Sequence, residues 1–125
     1  MRAIKARYNK NTDTSVSKER IYIMAYVKVT KDNFSEVAAS EKPVLLDFYA
    51  DWCGPCRMVG PIVEEIAAEH PEYVVGKVNV DEENALAAEF GVMSIPTLVV
   101  MKGGKVVRQV TGARPKAQIL ALLAE

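Results

Sequence analysis

The chain has 125 residues, half of them hydrophobic and 26% charged, which is enough apolar surface for one core and too little length for two. Sixteen basic and sixteen acidic residues cancel, so the net positive field used to bind nucleic acid is missing. No uncharged stretch approaches the roughly 18 apolar residues of a membrane-spanning helix, and the hydrophobic content is too high for a disordered chain.

The cancellation conceals an asymmetry. Residues 1–20 hold six basic and two acidic side chains, a net +4, whereas residues 21–125 hold ten and fourteen, a net −4. The leading segment is rich in Asn, Thr, Ser, Lys and Arg and has few groups able to bury surface. Residues 1–24 are therefore expected to be a flexible basic extension to one domain over 25–125. Three readings of it compete. A secretory signal would use the apolar run Ile21–Val27, which has only the minimum length and no small-residue cleavage site. A transit peptide suits the Arg, Ser and Thr content, against which stand Asp13 and Glu19. In the third, Met24 is the natural start, which N-terminal sequencing of natural protein decides.

From Ala25 the periodicity switches between strand and helix. Tyr26–Thr30 alternates as a strand, and Asp32 is placed to cap a helix carrying Phe34, Val37 and Ala38 on one face. Pro43–Ala50 has apolar residues on both faces of the pleat and predicts a central, doubly covered strand. After Cys53, a helix puts Val59, Ile62, Val63 and Ile66 on one stripe, with Pro61 predicting a kink inside it and Pro71 as its stop. Tyr73–Val80 is the next strand, and Asp81 is placed to cap a short helix closed by Gly91. Thr97–Lys102 and Lys105–Thr111, joined by Gly103-Gly104, predict an antiparallel hairpin. Pro115 opens a last helix, whose Ile119, Leu120, Leu122 and Leu123 cover the sheet. The sum is an α/β domain: a mixed five-stranded sheet with helices on both faces.

Both cysteines lie in Trp52-Cys53-Gly54-Pro55-Cys56, where the central strand meets the following helix. A spacing of three at a helix start brings the two sulfurs to one side, close enough to bond reversibly. A purely structural bridge would close a loop of only four residues, worth about 2 kcal/mol. Zinc wants four ligands, and the only histidine, His70, stands a whole helix away, where it reads as a surface cation at a helix C-terminus. An iron–sulfur cluster shared by two chains would need further support that the sequence lacks. The functional reading beside these is a dithiol that exchanges with disulfides of other proteins. Cys53, at the positive end of the helix dipole, is the attacking thiol. Cys56, one turn inside and less exposed, resolves the mixed disulfide. Gly54 permits the tight exit from the strand, and Pro55 loses no hydrogen bond where the N–H is an orphan.

The stretch Asp47-Phe48-Tyr49-Ala50-Asp51-Trp52-Cys53-Gly54-Pro55-Cys56 resembles the active-site segment of thioredoxins. The resemblance extends from about Tyr26 to the C-terminus and includes Lys77 before Val78-Asn79-Val80-Asp81, Ile95-Pro96-Thr97, the Gly103-Gly104 turn and Gly112. It implies the thioredoxin fold and a protein-disulfide reductase with a reversible Cys53–Cys56 disulfide. It further implies a monomer in the cytoplasm with no cofactor on this chain. Its dithiol would be restored by a thioredoxin reductase that draws electrons from NADPH through a flavin.

Physics and resemblance meet at Asp47. A carboxylate in a strand apolar on both faces has no clear path to water, and burial raises its pKa; an edge position or a structural ion pair is the plainer alternative. The resemblance makes Asp47 the acid behind the dithiol, which takes a proton from Cys56 directly or through water, and makes Lys77 its tuner. It also implies a cis Ile95–Pro96 bond facing the dithiol, uncommon on base rates, with the backbone before Pro96 pairing to an extended substrate segment. Trp52, Gly54, Pro55, Ile95 and Gly112 would form an apolar rim. Two departures stand out: many thioredoxins have tryptophan where Tyr49 stands and glycine where Ser94 stands. A disulfide oxidase or isomerase, or a thioredoxin-like module that binds partners regardless of redox state, are the rival functions.

Overall fold

The computed structural model describes residues 25–125; the basic extension expected over 1–24, Met24 included, lies outside the described residues. Five strands form one sheet: β1 (Val27–Lys28), β2 (Val44–Tyr49), β3 (Val74–Asn79), β4 (Thr97–Lys102) and β5 (Lys105–Thr111). Their spatial order is β1-β3-β2-β4-β5. β1, β3 and β2 run parallel, β4 is antiparallel to β2, and β5 to β4. The helices are α1 (Phe34–Ala38), α2 (Gly54–Glu69), α3 (Asn84–Glu89) and α4 (Lys116–Ala124). This is the mixed five-stranded sheet that the periodicity predicts. Among the described residues no helix is long and apolar enough to cross a membrane.

Alternation along the strands assigns the two faces. Val44, Leu46 and Phe48 of β2 pack with Val37 of α1 and with Leu86 and Ala87 of α3, and the Phe90 ring contacts those of Phe34 and Phe48. Leu45 points the other way, onto Val59, Val63 and Ile66 of α2 and Ile119 and Leu123 of α4. With both faces covered, every residue from Val44 to Phe48 is buried, Asp47 among them. By the same alternation Asp47 belongs to the face that α2 covers.

Three helix starts differ from their sequence expectations. Asn33, not Asp32, stands at the cap of α1, and its amide serves the preceding turn, accepting from Thr30 N–H (2.8 Å) and donating to Lys28 O (2.9 Å). That turn also ends β1 early, because Thr30 O takes the N–H groups of Asn33 and Phe34. α3 begins after Glu83 rather than after Asp81: Asn79 first closes a turn, its side chain holding Asp81 N–H and its carbonyl the N–H groups of Glu82 and Glu83. Pro115 flanks α4 as its cap with an extended ψ of 158°, one position outside the helix. The Gly103-Gly104 turn has the positive φ angles that its hairpin requires, 60° and 79°.

Of the described glycines, Gly76 has the least room for a side chain. A Cβ there would lie 2.5 Å from Val29 Cγ2 and 3.1 Å from Leu46 Cδ2, both side chains being buried. Gly76→Ala is therefore expected to cost about 1–3 kcal/mol through overpacking, read as a lower urea midpoint at unchanged slope. A midpoint equal to that of the parent would show that the Val29 and Leu46 side chains yield freely at this point.

Candidate active site

β2 ends at Tyr49, and Cys53 N–H closes a turn onto Ala50 O at 3.2 Å. Cys53 then serves as the N-cap of α2 with extended backbone (φ −90°, ψ 114°), and its Sγ accepts the N–H of Cys56 at 3.2 Å. The sulfur thus occupies the position where a serine or aspartate oxygen would cap a helix, at the positive end of sixteen residues of aligned peptides. A thiolate gains from that hydrogen bond and from the dipole, and a thiol gains less; Cys53 is the sulfur whose ionisation this site favours. Gly54 and Pro55 occupy the first helical positions, where the missing proline N–H costs nothing. Cys53 and Cys56 form a disulfide across a Cα separation of 5.3 Å.

The two cysteines hardly differ in exposed area, at 5% for Cys53 and 4% for Cys56, so exposure alone does not set them apart. In the disulfide both sulfurs pack on each other and on Ala50, Tyr49, Val80 and Ile95. What separates them is direction: Cys53 lines a groove of about 570 Å³, and Cys56 does not.

That groove is lined, besides Cys53, by Trp52, Gly54, Pro55, Val80, Val92, Met93, Ser94 and Ile95. The Ile95–Pro96 peptide is cis, and Ile95 O lies 3.8 Å from Cys53 Sγ. Pro96 itself is buried behind the groove. Gly112 is not part of the lining either. With φ at 102°, it donates its N–H to Pro96 O at 2.8 Å and so supports the proline loop from behind. Trp52 is 67% exposed, its indole N–H bonded to Asp81 Oδ2 at 2.9 Å, and Met93 is 94% exposed. Val80, Val92 and Met93 escaped the sequence reading because nothing local marks them; Val80 reaches Cys53 from the end of β3, and Val92 and Met93 from the α3–β4 connection.

Asp47 is 1% exposed and neither carboxylate oxygen has a hydrogen-bond partner. Burial pushes its pKa from 3.8 up to about 6, against the pull of Lys77 and with help from the negative charge of Glu64. Lys77 is its register partner on β3, yet the ammonium bonds elsewhere, to Glu64 Oε2 of α2 at 2.6 Å. It also lies 4.8 Å from the centroid of the Tyr49 ring and 5.4 Å from that of Tyr26, within cation–π range. Burial disfavours its charge, but the Glu64 bond and charge, then Asp47 and Tyr49, outweigh that and hold its pKa above the usual value. Tyr49, one of the two noted departures, thus gives its ring face to this cation.

Among the described residues no group of three or more His, Cys, Asp or Glu side chains is placed to hold a metal ion. His70 stands at the C-cap of α2, with Nδ1 2.9 Å from Glu72 Oε2 and its ring stacked on Tyr73.

Comparison with known proteins bears on this geometry. The family profile described as Thioredoxin matches residues 25–125. A thioredoxin from Alicyclobacillus acidocaldarius is 49% identical over 102 residues, spanning 81% of this chain and 97% of that protein. A bifunctional thioredoxin reductase/thioredoxin from Mycobacterium leprae is 47% identical over 93 residues, 74% of this chain and 20% of that much longer protein. Among solved structures, a mutant thioredoxin from Halobacterium salinarum superposes with a TM-score of 0.71 at 40% identity, covering 78% of this chain and 85% of the other.

Proposed function

This chain belongs to the thioredoxin family, and from that membership we propose the cycle by which its dithiol reduces disulfides in other proteins. It is a thiol–disulfide oxidoreductase with a redox-active Cys53–Cys56 pair. A substrate segment lies extended in the groove beside Ile95, pairing its backbone with the chain ahead of Pro96. The Cys53 thiolate attacks one substrate sulfur; a mixed disulfide forms, and the other substrate sulfur leaves as a thiolate that takes a proton. Cys56 then gives its proton to the Asp47 carboxylate, directly or through a water, and attacks Cys53 Sγ. The mixed disulfide breaks, the second substrate thiolate leaves, and two electrons have passed to the substrate. The Cys53–Cys56 disulfide of the structure is the state in which this cycle ends.

The observation that carries this reading is the Cys53 sulfur at the cap of α2, held by Cys56 N–H and open to the groove. Lys77 tunes Asp47 by its charge. Trp52, Gly54, Pro55 and Ile95 contact substrate, while Pro96 and Gly112 shape the loop that meets it. A thioredoxin reductase returns the electrons, a partner suggested by the relative in which reductase and thioredoxin share one chain. The protein works as a monomer in a reducing cytoplasm. Its direction is tested by equilibrating the dithiol with glutathione and by coupling insulin reduction to a thioredoxin reductase and NADPH. A low potential with coupled NADPH consumption is expected. A potential near those of strong dithiol oxidants, with no coupling, would make it an oxidase instead.

A further inference from the structure

The assignment of Asp47 as the proton acceptor leaves one side chain unexplained. Cys56, Gly60 and Glu64 follow at intervals of four along α2, so they share the helix face turned toward the sheet. Gly60 leaves that face open: a Cβ there would lie 3.5 Å from Lys77 Nζ, so the ammonium rests over the glycine. From there it could serve either of two carboxylates, Asp47 beside it in the β2–β3 register or Glu64 one turn further along the helix. It bonds Glu64, and both oxygens of Asp47 remain unpartnered. The Tyr49 and Tyr26 rings flank the ammonium and help to fix it there.

We propose that Glu64 is a positioning residue for the exchange reaction: its carboxylate holds the Lys77 ammonium off Asp47 and thereby sets the pH at which Asp47 accepts the Cys56 proton. This rests on the reading of Asp47 given above. The groups that face Asp47 are few. Lys77 of β3 and Glu64 of α2 act on its charge, Tyr49 of β2 and Tyr26 flank the ammonium, and Cys56 lies on the same face of α2 as Gly60 and Glu64. β4 places the uncharged Leu98 opposite Asp47. α4 packs on this side through Ile119 and Leu123, and its Lys116 is bound to Glu65 and Glu69. Glu64 is therefore the one acidic competitor for Lys77 among the described residues facing this site. Its removal frees a positive charge for Asp47 and deletes a negative one, and both effects lower the pH at which Asp47 ionises.

The test uses the full chain and its variants Glu64→Gln, Glu64→Asp, Asp47→Asn and Lys77→Gln, alone and combined. Glutamine keeps the size of Glu64 but, lacking the charge, no longer holds the ammonium off Asp47. Two readouts are taken: carbon-13 NMR titration of the Asp47 carboxyl, and the pH profile of mixed-disulfide resolution. Glu64→Gln is expected to move both midpoints down by about one pH unit, while Glu64→Asp, which keeps the charge, stays nearer the parent. In the Lys77→Gln background the Glu64→Gln shift should fall by more than half. An Asp47 carboxyl that titrates in Glu64→Gln as it does in the parent overturns the proposal. So does a full shift without Lys77, since Glu64 would then act by its own charge alone. A rate profile that Asp47→Asn leaves untouched would instead remove Asp47 from the mechanism, an outcome that the NMR titration of Glu64→Gln distinguishes.

Discussion

Serine in place of Cys53 is expected to slow protein-disulfide reduction by roughly a thousandfold or more, because the reaction loses its nucleophile and nothing else at the groove can replace it. Cys56 cannot take over, since it does not line the groove and has no helix cap to favour its ionisation. Cys56→Ser should behave differently. Its Cys53 still attacks, but the serine hydroxyl cannot displace the substrate, so covalent complexes accumulate and are released by an added small thiol. Both variants lose the disulfide of a four-residue loop, which costs the oxidised form about 2 kcal/mol, so activity and stability are compared on reduced proteins. Full biological activity in Cys53→Ser would point to a binding module without redox chemistry. Repeated failure of Cys56→Ser to trap any substrate would remove it as the resolving thiol.

The second large effect concerns stability rather than rate. Asp47 has a folded-state pKa of about 6 against an ordinary 3.8, so the folded protein holds its proton more tightly than the unfolded chain does. A group raised in this way adds stability that is complete below about pH 4 and is lost as pH rises through 6. Above that the fold carries an ionised carboxylate that no hydrogen bond satisfies. A rise of roughly two pH units, at about 1.4 kcal/mol each, amounts to about 3 kcal/mol. Asp47→Ala is thus expected to gain about 3 kcal/mol over the parent between pH 4 and pH 8, read as diverging urea midpoints, while disulfide exchange near neutral pH slows. Parallel stability curves across that range would mean that the carboxylate is solvated and that burial does not shift it. The ionised carboxylate at the centre of the sheet is thus a destabilising group at neutral pH.

Much of this was legible from local chemistry. The doubly apolar run around Leu45 and Phe48 has no stable place except a central strand, and a three-residue cysteine spacing after it has its simplest home at a helix entrance. The Gly103-Gly104 hairpin and the α2 stripe of Val59, Val63 and Ile66 followed from backbone freedom and helical period alone. The exact starts of α1 and α3 were not legible, since Asn33 and Asn79 each had a turn and a helix competing for their hydrogen bonds. Asp47 could be suspected as a buried acid from its neighbours in sequence, because burial on both faces is a property of the strand itself. Which carboxylate owns Lys77, and that Val80, Val92 and Met93 stand across from Cys53, were settled only when β3, α2 and the α3–β4 connection came together. Those contacts join residues far apart along the chain, and charge and packing between such residues depend on distances that only the assembled sheet and helices set.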